Sequence, residues 1–276
     1  MTIAIGLLFR DGIIVAADTN EVLTDGSKRQ AVKVSATSTR NGCFAIAHAT
    51  FDGNAAKTLV NHLIADIEGN KVGSYSYLES LVADRMTLWA GAFRENPPSM
   101  QLILGARLNQ QGMALYFCEP PNSVVLQQRG YLAVGSGASV TDPLYKTLFP
   151  SVDAPAKARL TQLAYLMYRA KTDDAYCGGT TIAVIVPADA DGIPGWVARE
   201  SMENAEDVVR TFDYLLKTTA DAALPLPNET IESKANWLGE SAKYSAGLLR
   251  NLQFYASGRA VDMTTRSEFQ GSELVP

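Results

Sequence analysis

A chain of 276 residues with 47% hydrophobic and 19% charged residues can bury a substantial core, which excludes a wholly disordered polymer. A net charge of −5 gives no electrostatic case for binding nucleic acid or an anionic membrane. Three scattered cysteines and two histidines, Cys43, Cys118, Cys177, His48 and His62, argue for reduced thiols in the cytoplasm and against a disulfide framework or a zinc site.

The N-terminus lacks a basic run followed by a long apolar one, so no secretory signal is expected. No apolar stretch approaches the roughly 18 residues of a membrane span. Residues 3–8 and 13–17 are short β-branched runs joined by Arg10-Asp11-Gly12, which reads as a hairpin. Residues 44–49 (FAIAHA) predict a further strand. Leu59, Val60, Leu63, Ile64 and Ile67 then recur at helical spacing behind Asp52, a candidate N-cap. A second helix is predicted from Tyr77 to Phe93, stopped by Pro97-Pro98. Four apolar runs follow, QLILGARL, MALYFCE, SVVLQQ and YLAVGSG, and their turn-rich separators predict one antiparallel meander. Helices are expected near 140–148, 156–171 and 205–217, with strands at 180–187 and 194–199.

Strand groups alternating with helix pairs point to an α+β fold. The composition changes near Asp221, so the predicted organisation is a domain over 1–220 and a C-terminal extension over 221–276 of linker, helix and polar tail. Trp237, Tyr244, Leu248, Leu252 and Tyr255 share one helical face there, and such a stripe is expected to dock, on the chain's own core or on a neighbouring subunit.

The chemistry begins at Thr2. Threonine is small enough for Met1 to be removed, which would leave a free α-amine beside a hydroxyl. The hydroxyl is a weak nucleophile unless a base takes its proton, and an α-amine of pKa about 7.7–8.0 can do so. A nearby lysine would lower that value, and a carboxylate would hold the lysine. Asp18, at the end of the second strand, and Lys33 are the candidates.

The opening TIAIGLLFRDGIIVAADT resembles that of catalytic proteasome β subunits and of HslV-type peptidases, members of the N-terminal-nucleophile (Ntn) hydrolases. AHATFDG, AVGSGA and DAYCGG follow in the family's order, and the resemblance covers about residues 2–220. It implies a four-layer α-β-β-α sandwich and a threonine endopeptidase without metal or organic cofactor. The enzyme would form an acyl-enzyme ester inside a self-assembled homo-oligomeric ring. It also implies peptide or unfolded-protein substrates and an ATP-driven unfoldase as a candidate partner. By the same resemblance Thr2 is nucleophile, Asp18 pairs with Lys33, and Ser136, Asp174 and Cys177 surround the amine. His48, Ala49 and Thr50 line the oxyanion and substrate side, with the backbone N–H of His48 facing the oxyanion.

Three residues depart from the family pattern. The interval from Asp18 to Lys33 is one residue short, with Lys28 as the weaker alternative; His48 stands for a glycine, and Cys177 for a serine. Two other readings remain open at this point: an Ntn amidase acting on a non-protein amide, and a catalytically silent ring-forming subunit.

Overall fold

The computed structural model describes residues 2–22, 27–93, 97–148 and 156–223. Strands β1 (Ile3–Phe9) and β2 (Gly12–Asp18) form the expected hairpin, with Ala4 opposite Ala17 and Phe9 opposite Gly12. Both strands are buried almost throughout, which is why they read as unbroken apolar runs. Next come β3 (Asn20–Val22), β4 (Lys28–Gln30), β5 (Val34–Thr39) and β6 (Gly42–Thr50). Helix α1 (Gly53–Gly69) starts at Asp52, whose side chain accepts the Ala55 N–H at 3.0 Å. Helix α2 (Tyr75–Gly91) starts two residues earlier than the apolar pattern suggests, because Ser74 caps it through the Tyr77 N–H.

Strands β7 (Met100–Leu108), β8 (Gly112–Glu119), β9 (Ser123–Leu126) and β10 (Tyr131–Gly135) come next. They are followed by α3 (Ala138–Leu148), α4 (Ala156–Asp173), β11 (Thr181–Pro187), β12 (Gly195–Trp196) and α5 (Arg199–Ala223). The last helix is longer than the pattern over 205–217 implies.

Among the described residues there are five helices and three antiparallel sheets. One sheet has the order β10-β1-β2-β11-β12, another β5-β6-β7-β8-β9, and β3 pairs with β4 alone. The four-stranded meander is thereby corrected. Strands β7, β8 and β9 are consecutive neighbours, but β10 leaves them and pairs with β1, Ile3 opposite Gly135. Local alternation gives a strand's two faces and not its partner, so this crossover has no signal in the run itself.

Burial is divided among three clusters. Phe44, Ile46 and Leu104 pack with Leu59, Leu63, Val82 and Met86 of α1 and α2. Ile3, Ile5 and Ile14 pack with Leu163, Met167 and Met202 of α4 and α5. Ala4, Val15 and Ala17 of the first sheet meet Ala45, Ala47 and Ile103 of the second. The alternation along β1, β2 and β6 therefore sends successive side chains to different cores.

The chain divides into two compact units, residues 1–209 and 210–276. The first carries every strand among the described residues; of the second, the structure describes the run of α5 as far as Ala223. The stripe from Trp237 to Tyr255 lies outside the described residues. No helix among the described residues is long and apolar enough to cross a membrane.

Candidate active site

The polar residues of interest collect where the strand ends of the two five-stranded sheets meet. Thr2 immediately precedes β1, Asp18 ends β2, and Lys33 immediately precedes β5. All three are buried, with Thr2 only 1% exposed. The Lys33 ammonium donates to the hydroxyl of Thr2, to Asp18 Oδ1 at 2.9 Å and to the carbonyl of Asn20. Those three acceptors match the three N–H donors of a lysine. Lys28 is elsewhere, with its Nζ on the carbonyl of Ala175 at 3.1 Å, so the cation that meets Thr2 is Lys33.

Asp18 is held from three directions. Besides Lys33, its Oδ1 accepts the Ile3 N–H at 3.3 Å and its Oδ2 accepts the Gly178 N–H at 2.8 Å. Burial pushes the carboxyl of Asp18 up and the amine of Lys33 down, each opposed by the charge of the other. The pair is therefore a desolvated one whose geometry has to offset the loss of water.

Asp174 and Cys177 sit in the loop between α4 and β11. The Cys177 thiol donates to Asp174 Oδ2 at 3.4 Å, and the Tyr176 N–H donates to Oδ1 at 2.9 Å. Partial burial works to raise the Asp174 carboxyl, but contacts from Ser136, Tyr176 and Cys177 outweigh it and leave the group below its ordinary value. Burial, reinforced by the charges of Asp18 and Asp174, drives the Cys177 thiol well upward. A protonated, 4% exposed thiol is a hydrogen-bonding neighbour and not a nucleophile. The Ser136 hydroxyl is buried, close to both groups, and makes no hydrogen bond of ordinary length.

On the other side, the N–H of His48 donates to the Lys33 carbonyl at 3.1 Å, so this structure engages the expected oxyanion donor within the sheet. Ala49 is buried beside Gly135, which in turn abuts the carbonyl of Thr2. Thr50 works in the turn before α1: its hydroxyl donates to the Ser99 carbonyl at 3.0 Å and accepts the Asp52 N–H at 3.1 Å. Sequence reasoning missed Asn20, Gly178 and Glu21. The first two act through backbone groups, which no residue pattern marks. Glu21 is buried, accepts Arg29 Nε at 2.7 Å and takes the Gly53 N–H at the start of α1 at 3.0 Å.

The ring of His48 is 5% exposed, and its Nδ1 is buried without a hydrogen-bond partner. Burial, aided by the Lys33 charge, lowers its pKa from 6.5 to about 4. Above pH 6.5 the folded and unfolded chains both hold a neutral imidazole, so the group is silent. Below that the unfolded chain takes up a proton that the folded one refuses until about pH 4. Stability is thus lost as pH falls through this window, by about 3 kcal/mol in all. Urea unfolding at pH 7 and pH 5 should show a smaller acid loss for His48→Leu than for the parent chain. Equal losses would place the imidazole in water.

No family model matches the chain, and no curated protein matches it either. Solved structures do. The Anbu complex of Pseudomonas aeruginosa, described as a helical assembly, is similar at 14% identity and a TM-score of 0.70, over 82% of this chain and 98% of that one. The chain is similar to that structure in fold. Anbu from Yersinia bercovieri, described as an ancestral β-subunit, gives 13% identity and a TM-score of 0.68 over 83% of this chain and 100% of that one. Anbu from Hyphomicrobium sp. strain MC1 gives 13% and 0.65 over 83% and 99%. This corrects the resemblance to catalytic proteasome β subunits and HslV-type peptidases, because these similar structures are Anbu proteins. The fragments that suggested it, such as Gly135-Ser136-Gly137 between β10 and α3, lie at turns and strand ends.

Proposed function

We propose that this chain is a self-assembling subunit of the ancestral β-subunit type, with an N-terminal-nucleophile site at Thr2. Assembly is the better supported half. It is supported by the likeness to Anbu proteins, one of which is described as a helical assembly. Three cores, one between the sheets and one on the outer face of each, support the four-layer α-β-β-α reading.

The observation that carries the catalytic half is the Lys33 ammonium placed between the Thr2 hydroxyl and the Asp18 carboxylate. Once Met1 is removed, the α-amine takes the hydroxyl proton as Oγ1 attacks a carbonyl carbon, and later returns it to the departing nitrogen. An ester to Thr2 forms, and water, deprotonated by the same amine, releases a carboxylic acid and restores the hydroxyl. Lys33 keeps positive charge beside the amine and favours its neutral, basic form, while Asp18 fixes Lys33. The substrate class is a peptide bond or another amide.

A second reading is a silent assembly subunit. Its specific support is the 1% exposure of Thr2 and the engagement of the His48 N–H. One experiment separates the two. Protein lacking Met1 is incubated with a peptide boronate or epoxyketone and weighed intact. One adduct, absent from Thr2→Ala, is the outcome expected of a nucleophile. No adduct on the processed protein establishes the silent reading. Native mass spectrometry should show the same multimer for Thr2→Ala and the parent chain.

A further inference from the structure

The loop between α4 and β11 carries Asp174, Cys177 and the Gly178 N–H that binds Asp18. It also contains Gly178-Gly179, where no side chain can anchor the backbone. Gly179 has φ +70, and a Cβ there would lie 2.5 Å from the Thr19 hydroxyl, so glycine is required. Backbone bonds tie the loop to the end of β2 and the start of β3, with the Asn20 N–H on the Gly178 carbonyl at 3.2 Å and the Thr180 N–H on the Thr19 hydroxyl at 2.9 Å, and the side chains that hold its two ends add to these.

Both ends are held by the same group. Lys171, in the last turn of α4, donates to the two carboxylate oxygens of Glu206 at 2.9 and 2.8 Å. Thr181, the first residue of β11, donates its hydroxyl to Glu206 Oε1, and Lys171 also reaches Thr181 Oγ1 at 2.7 Å. Glu206 comes from α5 and is 8% exposed. Thr181 is the strand partner of Asp18. We propose that Glu206 is a positioning residue, whose carboxylate clasps both ends of the 174–180 loop and so holds the Gly178 N–H on Asp18. Its effect on chemistry rests on the nucleophile reading above; its effect on the loop does not.

The geometry is specific about which changes matter. Thr181→Val removes the hydroxyl and keeps the shape, whereas Thr181→Ser keeps the hydroxyl. Glu206→Gln keeps an acceptor for Thr181 and strands Lys171. Asp66→Asn breaks the paired hydrogen bonds with Arg85 at 2.5 and 2.7 Å between α1 and α2, and serves as a destabilised control away from the site.

Two quantities are read on the otherwise complete chain lacking Met1: exchange of the Gly178 amide, and the rate of boronate adduct formation at Thr2. Thr181→Val and Glu206→Gln should speed Gly178 exchange about tenfold relative to Asp66→Asn matched for urea midpoint. They should slow adduct formation by about 10²-fold, since misplacing a reacting group costs on that order. Thr181→Ser should restore both. If the parent chain forms no adduct, the nucleophile reading fails and the amide exchange alone decides. Exchange no faster in Thr181→Val and Glu206→Gln than in Asp66→Asn would overturn the clasp. Faster exchange with an unchanged adduct rate would overturn its bearing on the site.

Discussion

Lys33→Met should destabilise the chain by about 3–5 kcal/mol at pH 7, the usual cost of stranding one member of a buried ion pair. The side chains of Lys33 and Asp18 are 4% and 0% exposed. Removing the ammonium leaves the Asp18 carboxylate with two backbone donors, Ile3 and Gly178, and no counter-charge. The Asn20 carbonyl and the Thr2 hydroxyl lose their donor in the same step. The loss should shrink in acid. Burial already pushes the Asp18 carboxyl upward, and without Lys33 nothing opposes that rise except the two N–H bonds. The folded variant then binds a proton at a pH where the unfolded chain does not, so stability is regained as pH falls. Adding Asp18→Leu should recover only part of the deficit, because it removes the buried charge but leaves the Ile3 and Gly178 N–H groups without an acceptor. Urea midpoints for the single and double variants at pH 7 and pH 5 provide the check. A deficit below about 1 kcal/mol would mark the pair as solvated, like a surface ion pair.

The parts of this fold legible in the sequence are those whose burial is written in the local period. Strands β1, β2 and β6 are apolar runs because both faces are covered, and α1 shows its stripe because only one face is. Strands β3 and β4 escaped notice. Lys28, Arg29 and Gln30 are exposed, and their pairing with Asn20–Val22 comes from backbone bonds that any sequence can make. Helix α5 runs on past the expected 205–217 to Ala223, and Phe212 within it is 43% exposed. In the site, Thr2, Asp18 and Lys33 were readable as types of chemistry that need one another. The donors from Ile3 and Gly178 and the acceptor at Asn20 were not, being peptide groups. The family assignment went wrong for a related reason: short Gly, Ser and Asp motifs mark turns and strand ends, which is local information.

One of those turns should be among the most sensitive positions in the chain. Gly135 has φ +91, and its strand partner is Ile3. A Cβ at this position would lie 2.0 Å from the Thr2 carbonyl oxygen and 3.0 Å from the Ala49 methyl. Backbone on one side and β6 on the other leave no flexible side chain to move away. Gly135→Ala should therefore cost about 3 kcal/mol or more, combining a strained φ with a displaced strand end. Gly112→Ala separates the two contributions, because Gly112 has φ +79 with nothing within 4 Å of its would-be Cβ. It should cost only about 1 kcal/mol, from φ alone. The excess in Gly135→Ala measures how tightly Thr2 is held against the turn. That displacement moves Thr2 off Lys33, so boronate adduct formation should fall by about 10²-fold in Gly135→Ala and stay unchanged in Gly112→Ala. Equal urea midpoints for the two variants would mean that the Thr2 carbonyl yields freely. The Lys33 contact would then be too loose to set the state of an amine.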